Sequence, residues 1–477
     1  MARILISYFS DYGEAMYDAI CGVLHENCND IFRLNINNSS ITITKWGGES
    51  KINDIALLSK IRDFNPEIIL NFNNCLPKNL YKILDKNCKI CAVDADAPSV
   101  AFWNKDICNK YFDRFVFLGL QSYSKAMYEN WLNIKLTNKN YIYFPPATIV
   151  KNENLKQNKN ISFIGSNFYP LEVPGRGEVF SQDAIKLYNA FEKNYFLTLK
   201  EAEKICKHTS DVEWLYEYIR WIYAGQDRLR YMQQLTDLGF EFFGMRYWQK
   251  IAYYDFEIAR CFNPIPKVTL QDNQWVYNTS KIAVNFSHPL AKSSFSWRVM
   301  DIMASNACLL MEDKPDWRDL FEKYLSPEVL EIIIYKDRFD MRQKAIKLLN
   351  DEKLRKKCVS ELNNAIEKNG RWEVRFKSLE AFLGIKILNV QNNNLKYLIV
   401  SRQENKPVKK QDNAQVTPTE VIHETHKPFL HSLRLANRFK MAHYALITFF
   451  VQIPVLDLLF RSRKRVKLLN KIQKWWR

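Results

Sequence analysis

Two successive series of short apolar segments, each segment followed by a helix-like stretch, constrain this chain more than any other feature. Up to residue 150 the strand candidates are 3–8, 68–72, 90–94, 115–118 and 141–144, with helices expected near 14–24, 51–62, 76–84 and 123–131. The second series places strands at 161–164, 240–243, 282–286, 308–311 and 332–335. Segments apolar on both faces and alternating with helices fit parallel sheets covered on both sides, so the fold class is α/β. A chain of 477 residues with 47% hydrophobic content is long enough for two such domains and further elements.

The series divide the chain. Residues 1–150 form the first unit, and the polar, Asn/Lys-rich 151–159 opens the second, 151–385. Between the first two strands of the second unit, about 179–238 reads as helix, with Trp214, Leu215, Tyr218, Trp221 and Ile222 at helical spacing. That is about forty residues more than a crossover needs. It is either an insertion that meets an acceptor or partner, or a bundle buttressing the sheet. Residues 344–370 and 372–383 read as two closing helices. A polar linker, 386–426, is interrupted by a short apolar run at 395–400, and a tail occupies 427–477.

The richest stretch is Ser280-Lys-Ile-Ala-Val-Asn285-Phe-Ser-His288, followed by Ser294-Phe-Ser-Trp-Arg298-Val-Met-Asp301-Ile-Met-Ala304. A buried strand runs into a polar turn. A helix follows, with Val299, Ile302 and Met303 on one face and Ser294 or Ser296 as possible N-cap. Hydroxyls, Arg298 and Asp301 therefore gather at the carboxyl end of a strand, where open α/β sheets take anionic ligands. On residue types alone, Arg298–Asp301 equally fits an i,i+3 surface ion pair worth tenths of a kcal/mol.

This strand–turn–helix resembles the donor-binding half of GT-B glycosyltransferases, and more narrowly the CgeB/YkvP spore-protein-like glycosyltransferase group. Tyr143-Phe-Pro-Pro-Ala147 is similar to the family's interdomain hinge. Ile161-Ser-Phe-Ile-Gly165-Ser166 resembles its first second-domain strand, and Glu241-Phe-Phe-Gly244 through Trp248 its next. Val276-Tyr277-Asn278 fits the same pattern. The likeness covers roughly 140–385, with Asp301 where the family has Glu and Asn306 where it has Gly.

The resemblance implies two Rossmann-like domains facing a cleft, with the acceptor on the first and a nucleotide-sugar donor on the second. It implies transfer to a bacterial surface glycan or glycoprotein without a metal or bound cofactor. Arg298 and Lys292 are then the phosphate candidates and Asp301 the ribose candidate. Asn285 and His288 would face the sugar, Gly165 and Ser166 would approach the donor closely, and Ser294 would line the turn. Lys281 is either another phosphate contact or structural. The base is expected from the first domain: Asp96, Asp94 or Asp11. Asp94 and Asp96 formally make D-x-D, a weak pattern in a chain with a second α/β series. A GT-B-like scaffold without catalysis, held at a membrane, remains the alternative.

Net charge is +17, and 427–477 carries twelve Lys and Arg against one acid, Asp457, a net +11. The remaining 426 residues carry +6. With no basic-aromatic patch in the body, nucleic acid is not an expected partner. Residues 441–460 are mostly apolar but contain Pro454 and Asp457. Leu468, Leu469, Ile472, Trp475 and Trp476 share a helical face opposed by Lys467, Lys471 and Lys474. Such a tail suits an anionic membrane surface, with docking on an acidic protein patch and a true span as the other readings. The start at Met1 reads as a strand rather than a leader, and the ten cysteines are scattered. A cytoplasmic protein, peripheral on the inner face of the membrane, is expected. Cys88-Lys-Ile-Cys91 lacks a second pair or a His partner.

Overall fold

The computed structural model describes residues 2–10, 14–27, 29–45, 49–94, 105–166, 181–244, 246–253, 255–264, 269–388 and 396–400. The first series runs β1 (Arg3–Tyr8), α1 (Ala15–Glu26), β2 (Asp30–Asn35), β3 (Ile41–Lys45), β4 (Glu49–Ile52), α2 (Ile55–Phe64) and β5 (Ile68–Phe72). It continues with α3 (Leu80–Ile83), β6 (Lys89–Val93), α4 (Lys105–Lys110), β7 (Phe115–Gly119), α5 (Ser124–Leu132) and β8 (Tyr141–Tyr143). The second opens with β9 (Lys159–Ile164), α6 (Gln182–Lys193), α7 (Leu199–Ile205), α8 (Val212–Gln233), β10 (Phe240–Gly244), α9 (Phe256–Ala259) and β11 (Phe262–Pro264). Next come α10 (Leu270–Asn278), β12 (Ser280–Val284), α11 (Trp297–Met303), β13 (Cys308–Glu312), α12 (Pro315–Phe321), α13 (Pro327–Ile333) and β14 (Ile334–Tyr335). It closes with α14 (Arg338–Asn350), α15 (Glu352–Asn369), α16 (Trp372–Leu383) and β15 (Tyr397–Val400).

Among the described residues, one sheet has the order β15-β2-β1-β5-β6-β7-β8 and the other β11-β10-β9-β12-β13-β14. Their neighbouring strands run parallel. In the first sheet β1 lies between β2 and β5, and in the second β9 lies between β10 and β12, so in each the strand order turns back at the first strand in sequence. Each therefore has a topological switch point, beside β1 in one and β9 in the other, where ligands of open sheets bind. The expected α/β fold is present as GT-B, two parallel-sheet domains across a cleft, with helices α6–α8 inserted in the second.

Three differences have physical reasons. Strand β2 was not expected because its DIFRLN sequence carries Arg33 and Asn35, both buried. Arg33 is satisfied by the Tyr8 hydroxyl at 2.6 Å, by Asp18 at 2.6 Å and by Glu14. Within the expected linker, Tyr397–Val400 adds a strand to β2 at the edge of the first sheet. The expected helix 344–370 is instead two helices, α14 and α15, broken at Asp351, whose side chain caps the second by accepting from the Leu354 amide. Residues 389–395 and 401–426 of that linker, and all of the tail 427–477, lie outside the described residues. Among the described residues no helix is long and apolar enough to cross a membrane.

The closing helices part ways. Helices α14 and α15 stay with the second core, whereas Trp372, Phe376 and Leu379 of α16 pack with Ile4, Ile6, Leu70 and Val93 of the first. The turn that sends α16 across is tight. A Cβ on Gly370 would lie 2.4 Å from Ile366 Cδ1 and 3.0 Å from Met300 Cε. The returning chain is bonded to the outgoing hinge: Thr148 N donates to Gly370 O at 3.0 Å, and Arg371 donates to Val150 O. Buried Arg375 donates to Pro145 O at 3.0 Å and to Asn369 O at 2.6 Å. Hydrogen bonds from a buried cation are among the stronger ones, and their loss orphans the carbonyls. Arg375→Met is expected to cost about 3 kcal/mol in urea unfolding; a loss below about 1 kcal/mol would put the hold on the hinge elsewhere.

Candidate functional site

The two switch points face one cavity of about 410 Å³. From the first domain come Ala15, Met16, Tyr17 and Ala19 at the start of α1, the helix that follows β1. From the second come Gly165 and Ser166 after β9, Gly244 ending β10, Asn273 and Tyr277 on α10, and Ser296, Arg298 and Asp301 around α11. Thr148 of the hinge and Trp372 of α16 close it.

Arg298 is held from several sides. Its Nη1 donates to Asn285 Oδ1 at 3.1 Å and to Ser296 Oγ at 3.4 Å, and its guanidinium stands 5.1 Å from the centre of the Phe163 ring. Burial lowers its pKa from the usual arginine value, with Tyr277 and Asp301 opposing. Ser296 is the N-cap residue of α11, yet its hydroxyl does not cap the helix; it donates to Asn285 Oδ1 at 2.6 Å. Asn285 is itself fixed, its carbonyl accepting from the Tyr335 hydroxyl at 2.8 Å. Gly165 is required here, because a Cβ would fall 2.5 Å from Phe163 Cζ and 2.9 Å from Arg298 Nη2.

Asp301 lies one helical turn past Arg298 and accepts from Thr148 Oγ1 at 2.5 Å. Burial pushes its pKa up to about 6, against lowering by Thr148, Arg298 and Arg371. The ionised carboxylate is therefore a net cost to the fold above about pH 6. The cost fades as pH falls through 6 and is gone below about 4, where folded and unfolded forms are both protonated.

Of the expected donor residues, Gly165, Ser166, Arg298 and Asp301 meet in the cavity, and Asn285 lies behind them as the support of Arg298. The others are elsewhere. Ser294 is buried, its hydroxyl donating to Leu120 O of the first domain at 3.0 Å. Lys292 is exposed, 4.9 Å from the Tyr123 ring centre. His288 packs edge-on to Trp221, accepts the Leu290 amide at Nδ1, and is not in the cavity lining. Burial first, then Arg228, Arg220 and Arg298, hold its pKa down to about 3, so it is a neutral imidazole. Lys281 donates to Asn160 Oδ1 at 3.0 Å, a structural contact. Asp94 is buried at the end of β6 beside Tyr128, away from the cavity lining. Asp96 and Asp11 lie outside the described residues.

Sequence reasoning missed Thr148, Asn273 and Trp372 of the lining. It also missed buried Arg228 on the inserted α8, which donates to Ser166 O and, at 3.3 Å each, to Phe286 O and Ser287 O. Arg228 stands 5.3 Å from the same Phe163 ring that Arg298 approaches. Thr148 directly follows the Tyr143–Ala147 hinge motif and was findable from it. Arg228, one basic residue in a helix rich in them, was not.

Cys88 and Cys91 pack into the cores on opposite faces of the first sheet, as i,i+3 residues of a strand must, so they share no site. Among the described residues no three His, Cys, Asp or Glu side chains gather as metal ligands.

Residues 227–381 match the family model described as "Glycosyl transferase-like". The match takes in β10 to nearly the end of α16 and includes both Arg298 and Asp301, and by class the chain is a glycosyltransferase. No curated protein matches it. Solved structures similar in overall course include a T4 phage β-glucosyltransferase, 14% identical, with 80% of this chain and 99% of that one covered and a TM-score of 0.40. An α-glucosyltransferase in complex with UDP-glucose and DNA containing an abasic site is 10% identical, covering 80% and 99% at a TM-score of 0.46. Sucrose-phosphate synthase from Thermosynechococcus elongatus is 8% identical, covering 80% and 98% at 0.46.

Replacing Asp301 by Asn keeps an acceptor for Thr148 and removes the buried charge. The variant is expected to be more stable than the parent at pH 8 by up to about 3 kcal/mol, and to lose that advantage by pH 4. Equal melting curves at pH 8 would show that the carboxylate is not under strain.

Proposed function

We propose that the chain transfers a sugar from a nucleoside-diphosphate sugar to an acceptor hydroxyl, with the diphosphate at Arg298 and the ribose at Asp301. The supporting observation is the meeting of both switch points at one cavity whose wall carries a guanidinium and a carboxyl one helical turn apart. As the bond to the sugar breaks, negative charge grows on the departing diphosphate. Arg298 is aimed by Asn285, and Arg228 adds positive field although its Nη groups donate to carbonyls. Such preset charge in a water-poor site stabilises the leaving group more than mobile solvent does. Asp301, ionised above about pH 6, accepts the ribose hydroxyls. Guanidinium charge takes the part a divalent ion would otherwise have, so the transfer is read as metal-independent, with no bound cofactor. The base is assigned to the first domain, at Asp11 or Asp96.

The finer reading rests on the motifs at Tyr143–Ala147, Gly165–Ser166, Tyr277 and Arg298–Asp301. It makes the chain a CgeB/YkvP-like enzyme acting on a bacterial surface glycan or glycoprotein from the cytoplasmic face. Arg298→Ala is expected to fold, and to weaken nucleoside-diphosphate binding by at least about thirtyfold in calorimetry, since truncating a buried charge contact costs 2 kcal/mol or more. Parental turnover in that variant would overturn the assignment. Nucleotide binding without transfer to any hydroxyl acceptor, water included, would favour a scaffold.

The tail is assigned to an anionic membrane surface, because its +11 charge and paired Trp475 and Trp476 combine lipid attraction of roughly 1 kcal/mol per basic residue with an apolar anchor. Truncation before Lys427 is expected to abolish cosedimentation with phosphatidylserine vesicles and to leave transfer to a soluble acceptor intact. High salt should release the full chain only in part, since the apolar contribution is not screened. A truncated chain that still cosediments would put the membrane contact in the body.

A further inference from the structure

Helix α10 supplies one wall of the cavity through Leu270, Asn273 and Tyr277, residues three and four apart and so on one face. The polar groups around the α11 end are engaged. Asp301 takes the Thr148 hydroxyl, Arg298 bonds Asn285 and Ser296, and the Gly165 carbonyl accepts from Trp248 Nε1 at 2.7 Å. Asn273 differs. Its Oδ1 is buried and has no hydrogen-bond partner among the described residues. An orphaned buried acceptor is a cost that native cores rarely carry without a reason. The same cavity is lined by the apolar side chains of Leu270, Ile164 and Met16, the last from the facing domain, and by Gly244, so apolar surface is available beside a single unmet acceptor on α10.

Its position suggests the reason. Tyr277 marks the Arg298 end of α10, and Asn273 lies one turn away, about 6 Å along the axis. A ligand with its diphosphate at Arg298 and its ribose at Asp301 would extend its remaining part, the base, along this wall. A flat, largely apolar ring with N–H donors at its edge matches an apolar wall with one unmet acceptor.

We propose that Asn273 is a specificity residue of the donor pocket, its Oδ1 accepting an N–H from the edge of the nucleobase. The inference rests on the donor reading above and adds to it the part of the ligand that α10 recognises. No sequence motif marked Asn273; only the unmet acceptor does.

The test compares the full-length parent with Asn273→Ala and Asn273→Leu, using uridine, thymidine, guanosine, adenosine and cytidine diphosphates and inorganic pyrophosphate as calorimetric probes. For the nucleotide the parent binds best, Asn273→Ala should weaken binding about tenfold, while the weaker binding of pyrophosphate, which has no base, stays unchanged. The analogue of that nucleotide methylated at its base N–H should bind the parent as weakly as the unmodified nucleotide binds Asn273→Ala, and should lose nothing further in the variant. Without ligand, Asn273→Leu should melt above the parent, because it removes a buried acceptor that has no donor. A merely structural asparagine would give the opposite shift. Binding that is lost in Arg298→Ala but unchanged in Asn273→Ala overturns this inference alone, as does an equal loss for nucleotide and pyrophosphate. A parent that binds none of the nucleotides overturns the donor reading and this one together.

Discussion

The structure depends on the place where the chain leaves the first domain and where it returns. Outgoing residues 144–150 and returning residues 369–375 are bonded to each other through Thr148 and Gly370, Arg371 and Val150, and Arg375 and the carbonyl of Pro145. Once these segments are fixed, α16 has to lie on the first core. The two sheets then present their switch points to one cavity instead of turning independently. Thr148 takes part twice, by its backbone in the crossing and by its hydroxyl on Asp301. The hinge and the ligand wall therefore share a residue.

Around that crossing the cavity holds charge under tension. Burial lowers the pKa of Arg298 and raises that of Asp301, and each is held by a polar neighbour, Arg298 by Asn285 and Asp301 by Thr148. Asn285 shows the layering: Tyr335 holds its carbonyl, and its amide oxygen receives both Ser296 and Arg298. A side chain oriented in this way loses little freedom when a ligand arrives, which favours binding that is selective for shape and charge.

The sequence made the sheets legible because their strands are apolar on both faces, and a run such as Ile68–Phe72 has few other uses. It hid β2 because Arg33 and Asn35 break that signal while being neutralised by residues distant in sequence. It hid β15 because polar flanks made four strand residues look like linker. At the site, Arg298 and Asp301 were readable from their spacing and from family likeness. His288, Lys292 and Ser294 lie in the same turn, and their spacing could not say which way each side chain faces. Packing against Trp221 and Tyr123 and a bond to Leu120 turned them elsewhere. Asn273 had no signal at all, since a buried group without a partner is visible only in three dimensions.

The helices between β9 and β10 look from their length like an appendage that a smaller homologue would lack. Arg228 makes them otherwise. From α8 it reaches the carbonyls at the exits of both β9 and β12, the two strands that bound the second switch point. Excising the segment to obtain a minimal enzyme would leave those carbonyls without their donor and take away a positive charge beside the Phe163 ring. The insertion is therefore not a detachable module. Any shortened version of this chain must either keep the last turns of α8 or supply an equivalent cation from another direction.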